Sequence, residues 1–157
     1  MTAEISDLVT ECVLQCVFGE SCEKLGKLTH VSNNTTQELY PGQFLKSVFN
    51  SQMLRMFSLY RQICDLFDER FIGQSERDTL SNSLTFRAFI VQMIAERRKQ
   101  MAAGRSAKEA GDFLTLLLAD ELFKDKDQYI VDECLTFMLA ATMTTTMLIS
   151  NSVYYLT

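Results

Sequence analysis

The sequence predicts an all-α protein, and three features support this prediction. Only one proline and six glycines occur in 157 residues, too few for the many turns of a β-rich fold. Leucine and methionine, which both favour helices, are frequent, with eight methionines in the chain. Apolar residues also recur with the 3.6-residue period of a helix over several long stretches.

The first predicted helix runs from Glu4 to Phe18, and Gly19 is placed to end it. Its predicted apolar face consists of Ile5, Leu8, Val9, Cys12, Val13 and Cys16. From Ser32 to Gly42 the chain contains two asparagines, the single proline and a glycine, which predict a loop.

Two further helices are predicted over Gln43 to Leu59 and Tyr60 to Phe71, and the clearest one covers Thr79 to Ala103. The apolar face of that long helix consists of Leu80, Leu84, Phe86, Ile90, Met93, Ile94 and Met101. A polar connection, Gly104 to Gly111, then leads to Asp112, which we expect to cap a short leucine-rich helix.

The final predicted helix carries no charged residue from Cys134 to Thr157. A helix that is apolar nearly all round is buried in protein or in a membrane. Six threonines, two serines and Asn151 would place many polar groups in hydrocarbon, which disfavours a membrane span. We therefore expect this helix to be buried against protein that the chain does not contain.

The charge balance argues against nucleic acid as a partner, because a net charge of −5 does not suit a phosphate-binding surface. Basic residues gather in one local cluster, which we interpret as the solvated end of a helix. The cluster consists of Arg97, Arg98, Lys99, Arg105 and Lys108.

Five cysteines cannot all pair within one chain, and their spacing does not match the paired Cys-x-x-Cys pattern of zinc modules. Cys12 and Cys16 lie four residues apart, followed by Cys22 and His30. We interpret the cysteines as buried thiols in a reducing compartment.

The interior of the final helix is unusual, because two small residues precede a run of hydroxyls in Ala140-Ala141-Thr142-Met143-Thr144-Thr145-Thr146. Small side chains would let a flat ligand lie close to the main chain. The alternative is a helix–helix contact packed through alanine and threonine. Hydroxyls in such a run can also bond the carbonyl four residues earlier and bend the helix.

The order of the segments resembles the cytochrome P-450 family over about Ile5 to Thr157. The segment "DFLTLLL", a charged loop and "IVDECLTFMLAATMTTTMLISNSVYYL" resemble the approach to and body of that family's long central helix. Upstream, "VLQCVFGE" resembles a helix that ends in Phe-Gly, and "FIVQMIAERRKQM" the end of a helix over the substrate pocket. The family's motif small–Gly–x–acid–Thr–Thr/Ser would correspond to the six residues from Ala140 to Thr145.

This resemblance implies that residues 1–157 are one incomplete cytochrome P-450 catalytic domain, without an internal domain boundary. Members of this family are haem-dependent monooxygenases that activate O₂ and hydroxylate apolar small molecules. By the same resemblance, Ala140 and Ala141 border the haem and the oxygen groove. Thr144 would hydrogen-bond the oxygen and relay protons, supported by Thr145. The alternative for Thr144 is a hydroxyl satisfied by its own helix.

Two motif positions depart from the family pattern, since Ala141 stands in place of glycine and Met143 in place of an acid. A thioether carries no exchangeable proton, so water with Thr142 or Thr145 would have to replace the acid, or oxygen activation is impaired. The cysteine that ligates haem, in a glycine-containing loop, and the Glu-x-x-Arg motif are expected beyond Thr157. We therefore expect no metal ligand in this chain and no activity from it alone.

The resemblance also implies a reductase as redox partner and an intracellular location. We expect the cytoplasmic face of the endoplasmic reticulum, reached through an anchor outside this chain. Two other functions are kept as alternatives. One is a non-enzymatic helical module whose final helix docks into a partner, and the other is a membrane-associated helical protein.

Overall fold

The computed structural model describes residues 2–20, 24–33, 35–56, 73–103, 111–123 and 126–156. These residues form five helices and one two-stranded antiparallel sheet. In chain order they are α1 (Thr2–Phe18), β1 (Leu28–Ser32), β2 (Thr35–Leu39), α2 (Pro41–Met56), α3 (Gln74–Ala102), α4 (Phe113–Ala119) and α5 (Asp127–Leu156). The all-α prediction is confirmed, with a short hairpin added. The predicted helix from Tyr60 to Phe71 and the connection 104–110 lie outside the described residues.

The chain groups into two compact units, one formed by Met1–Leu25 with Ala88–Thr157 and the other by Gly26–Arg87. The second unit contains the hairpin, and there the predicted loop from Ser32 to Gly42 is partly wrong. β1 pairs with β2 in a register that runs from Leu28 opposite Leu39 to Ser32 opposite Thr35.

The hairpin is held by side chains of α3. Asn82 uses both ends of its amide: its Oδ1 accepts from the Val31 N–H at 2.9 Å, and its Nδ2 donates to the Val31 carbonyl at 2.8 Å. Asp78 accepts from the backbone N–H of Asn33 at 2.8 Å, beside the turn where Asn33 adopts a φ of 48°. The amide of Asn82 therefore pairs with the free edge of β1 as a neighbouring strand would.

The first unit has its core between α1, α3, α4 and α5, and the predicted face of α1 is partly wrong. Val13, Leu14, Val17 and Phe18 are buried there, and the Phe18 ring meets Phe89 of α3 edge to face at 5.7 Å. The exposed side of α1 carries Leu8, Cys12 and Cys16. The interpretation as buried thiols is thus wrong for Cys12 and Cys16, because the bulkier side chains of the helix occupy its buried face.

A buried ion pair joins three elements of this unit. Arg97 of α3 donates to the Phe18 carbonyl at the end of α1 at 2.6 Å, and its Nη1 lies 2.9 Å from Oδ2 of Asp112. The other oxygen of Asp112 accepts from the Thr115 N–H at 2.8 Å, which confirms the predicted cap of α4. The two charged side chains are only 5% and 2% exposed.

Gly19 makes this arrangement possible. It ends α1 with a φ of 70°, and a Cβ at this position would lie 3.0 Å from Oδ2 of Asp112. The prediction that the basic cluster is solvated is wrong for Arg97, because a carbonyl and a carboxylate satisfy its charge inside the core. It holds for Lys99, which is largely exposed, whereas Arg105 and Lys108 lie outside the described residues.

Candidate functional site

The final helix, α5, is packed along its first half and exposed along its second. Ile130, Val131, Cys134, Met138 and Thr142 are buried. After Thr142 the large apolar side chains are exposed, among them Met147, Leu148, Ile149, Tyr154, Tyr155 and Leu156. Soluble proteins usually expose large apolar residues one at a time, whereas here several lie along the same helix. Its burial by protein outside the chain stays a prediction.

The four residues singled out in the sequence, Ala140, Ala141, Thr144 and Thr145, form one stretch of α5 that we call the α5 turn. Ala140 and Thr144 are exposed, and they lie on the side of the helix turned away from buried Met138 and Thr142. Ala141 is half-buried and Thr145 is exposed. The α5 turn thus combines two small side chains, those of Ala140 and Ala141, with the hydroxyls of the exposed Thr144 and Thr145.

The Thr144 hydroxyl donates to the carbonyl of Ala140 at 2.6 Å. Thr10, Thr79, Thr85 and Ser152 make the same bond to the carbonyl four residues earlier. The bond is the local alternative considered for this threonine, and it fixes the direction of the hydroxyl. The oxygen keeps lone pairs that can accept a hydrogen bond from a further donor.

Phe113 and Phe137 form an aromatic contact beside the α5 turn that was not predicted from the sequence. Phe113 is the first residue of α4, and its ring stacks on Phe137 of α5 with centroids 4.6 Å apart and planes inclined by 21°. Phe137 precedes Ala140 by three residues, so the two share one side of α5. The sequence feature that could have indicated this contact is a phenylalanine directly after the predicted cap Asp112.

The described cysteines do not offer a thiolate near the α5 turn. Cys12 and Cys16 belong to α1, and Cys134 is buried in α5. Burial raises the pKa of the Cys134 thiol to about 12, with further contributions from the carboxylates of Glu133 and Asp112. A thiol in such surroundings stays protonated and is a poor metal ligand. Across the part of the chain that the structure describes, no three His, Cys, Asp or Glu residues gather into a metal site.

Within the described residues, α5 is also the one helix whose length and composition would allow it to cross a membrane, with a mean hydropathy of 1.3 in its most apolar window. Most of that window is exposed rather than buried in the chain. The same length and composition occur in the core helices of soluble proteins.

The family model described as Cytochrome P450 matches residues 1–157. No curated protein and no solved structure matches the chain significantly. The match extends over α1, the long α3, the capped α4 and α5, which carries no charge from Cys134 onward, and the resemblance in the sequence was based on these segments. The chain therefore belongs to the cytochrome P450 family.

Proposed function

We propose that the chain is the central part of the catalytic domain of a haem-dependent monooxygenase that hydroxylates an apolar small molecule. The match of the family model over residues 1–157 is the observation that carries this proposal. When bound, the haem would activate O₂, from which one oxygen atom enters the substrate and the other leaves as water with two electrons from the reductase and two protons. We propose that its cysteine ligand lies beyond Thr157, so the 157-residue chain alone is inactive.

The α5 turn suits one face of a flat macrocycle. Ala140 is exposed and Ala141 half-buried, and each side chain is a single methyl group that leaves the surface beside the backbone shallow. Cys134 would not suit the role of haem ligand, because it is buried and its pKa is raised to about 12. The fit therefore concerns the oxygen-binding side, where Ala140 and Ala141 would border the haem.

Thr144 is proposed as the residue that holds a proton at its Oγ1 next to the oxygen site. Its single hydroxyl proton is donated to the Ala140 carbonyl, so the hydroxyl would have to turn from this carbonyl toward the exposed side of α5 to donate at the oxygen site. Because a hydroxyl both donates and accepts, it can pass a proton to a neighbour and take another from water. Thr145 is exposed and supports this relay, whereas Thr142 is buried on the other side of the helix.

Replacing Thr144 tests this role in the full-length, haem-loaded protein. Thr144→Ala should increase the hydrogen peroxide released per O₂ consumed, because a proton is no longer held at the site, while haem content stays unchanged. Thr144→Ser keeps a hydroxyl and is the matched control, for which we expect a ratio close to that of the wild type. Equal ratios in the alanine and serine variants would refute a role for the hydroxyl.

Met143 offers a second test, since it stands where the family pattern has an acid. Met143 is half-buried, so a carboxylate at this position can reach water. If the missing proton donor limits turnover, Met143→Asp should leave the rate of product formation equal or higher. A lower rate with intact haem content would show that the supply of protons is not what limits turnover.

We further propose that the full-length protein takes electrons from a reductase and is held at the cytoplasmic face of the endoplasmic reticulum by an anchor outside this chain. A membrane-associated helical protein stays the second candidate, because α5 has a suitable length and hydropathy. Carbonate extraction of the expressed 157-residue chain separates the two: an extractable chain favours the enzyme, and a chain retained in the membrane favours the alternative.

A further inference from the structure

We propose that Phe113, held by the buried Arg97–Asp112 pair, is a positioning residue for the α5 turn. This inference rests on the proposed function, because the α5 turn matters for catalysis only if the oxygen site lies there. Three residues outside α5, Arg97, Asp112 and Phe113, thereby set the orientation of Ala140 and Thr144.

The first step is the anchoring of α4. Asp112 binds Arg97 at 2.9 Å through one oxygen and caps α4 through the other, at 2.8 Å from the Thr115 N–H. Arg97 is in turn bound to the Phe18 carbonyl at 2.6 Å, so it is fixed from two sides. The start of α4 is therefore tied to α3 by a buried ion pair and, through Arg97, to α1 by a charge-assisted hydrogen bond.

The second step is the contact between α4 and α5. Phe113 directly follows Asp112, and its ring stacks on Phe137 with a centroid distance of 4.6 Å. The Phe113 ring at the anchored start of α4 thus lies against α5. A flat aromatic ring offers a stiff contact, since its side chain has only two rotatable bonds.

The third step is the side of α5 on which this contact falls. Met138 and Thr142 hold the helix from its buried side. Phe137 is 39% exposed and lies three residues before Ala140 and seven before Thr144, which places all three on one side of the helix. The stack on Phe113 therefore adds a contact on the side of α5 that carries Ala140 and Thr144, away from its buried side.

The first experiment measures hydrogen exchange by mass spectrometry in the full-length, haem-loaded protein. Phe113→Leu should raise the exchange rate of backbone amides in residues 136–148 by about 2- to 12-fold, the range that the strength of an aromatic pair implies. Residues 5–17 of α1 should exchange as in the wild type. Phe113→Tyr keeps the ring and should restore slow exchange.

Leu116→Ala is the matched control, because Leu116 lies on the same helix and is mostly exposed. Arg97→Lys keeps the charge but loses the guanidinium group, which contacts both the Phe18 carbonyl and Asp112. It should therefore raise the exchange rate in residues 136–148 as Phe113→Leu does. Unchanged exchange in 136–148 for Phe113→Leu, or an equal increase along the whole chain, would overturn the inference.

The second experiment links the position of the α5 turn to chemistry. Phe113→Leu should raise the hydrogen peroxide released per O₂ consumed, and Phe113→Tyr should return the ratio to that of the wild type. The exchange measurement does not depend on oxygenase activity. If Thr144→Ala left the peroxide ratio unchanged while Phe113→Leu loosened 136–148, the proposed proton role of Thr144 would fail and the packing role of Phe113 would stand.

Discussion

Asp112→Ala is expected to be the most destabilising single substitution of a polar residue in the first unit. The change leaves the Arg97 guanidinium buried, 5% exposed, with the Phe18 carbonyl as its remaining partner among the described residues. Breaking a buried pair by removing one member costs about 3–5 kcal/mol. Loss of the cap on α4 adds about 1 kcal/mol. We therefore expect the free energy of unfolding to fall by about 4–6 kcal/mol.

Urea unfolding followed by circular dichroism measures this loss, and two variants calibrate it. Asp112→Asn keeps an oxygen for the Thr115 N–H, so it should lose about 1 kcal/mol less than Asp112→Ala. Arg98→Ala breaks the ion pair between Arg98 and Asp127, whose side chains are 41% and 45% exposed, respectively. This substitution should lower the free energy of unfolding by less than about 1 kcal/mol. A loss for Asp112→Ala no larger than that for Arg98→Ala would refute the reasoning.

Three further predictions concern Gly19, Cys134 and Asn82. Gly19→Ala should lower the free energy of unfolding by about 2 kcal/mol or more, because the residue has a φ of 70° and its Cβ would press on Asp112. Gly26 has a φ of 81°, but a Cβ at this position would have no neighbour within 4 Å. Urea unfolding of Gly26→Ala should therefore show a smaller loss of free energy of unfolding than Gly19→Ala. Because the Cys134 pKa is raised to about 12, the unfolded chain loses this proton at lower pH than the folded one. Stability should therefore fall between about pH 9 and pH 12, by at most about 1.4 kcal/mol per pH unit, and less so in Cys134→Ala. Asn82→Asp removes the Nδ2 donor to β1, and hydrogen exchange in residues 28–39 should accelerate while that in 127–142 does not.

The helices of this chain could be predicted from sequence because their signals are local. The helical period of the apolar residues, the aspartate that caps a helix and the glycine that ends one all lie in or next to the helix that they define. The helices α1, α4 and α5 accordingly lie close to their predicted positions. The hairpin was missed because its support is distant. Asn82 lies 51 residues from Val31, and Asp78 lies 45 residues from Asn33.

The same distinction applies to the candidate site. The α5 turn could be located because small residues and hydroxyls follow one another along the chain. The buried role of Arg97 could not, since its partner Phe18 lies 79 residues away and no local pattern distinguishes Arg97 from its neighbour Arg98. The Phe113–Phe137 stack was missed for the same reason.

The most direct test of the proposed function is isotope labelling of the product. The full-length, haem-loaded protein would be supplied with ¹⁸O₂, a reductase and an apolar compound that changes the haem absorption on binding. A monooxygenase should place one ¹⁸O atom in each hydroxylated product molecule, and the Thr144→Ala variant should form less of it per O₂ consumed. A product whose oxygen comes from water, or oxygen consumption without any hydroxylated product from every compound that binds, would contradict the proposal.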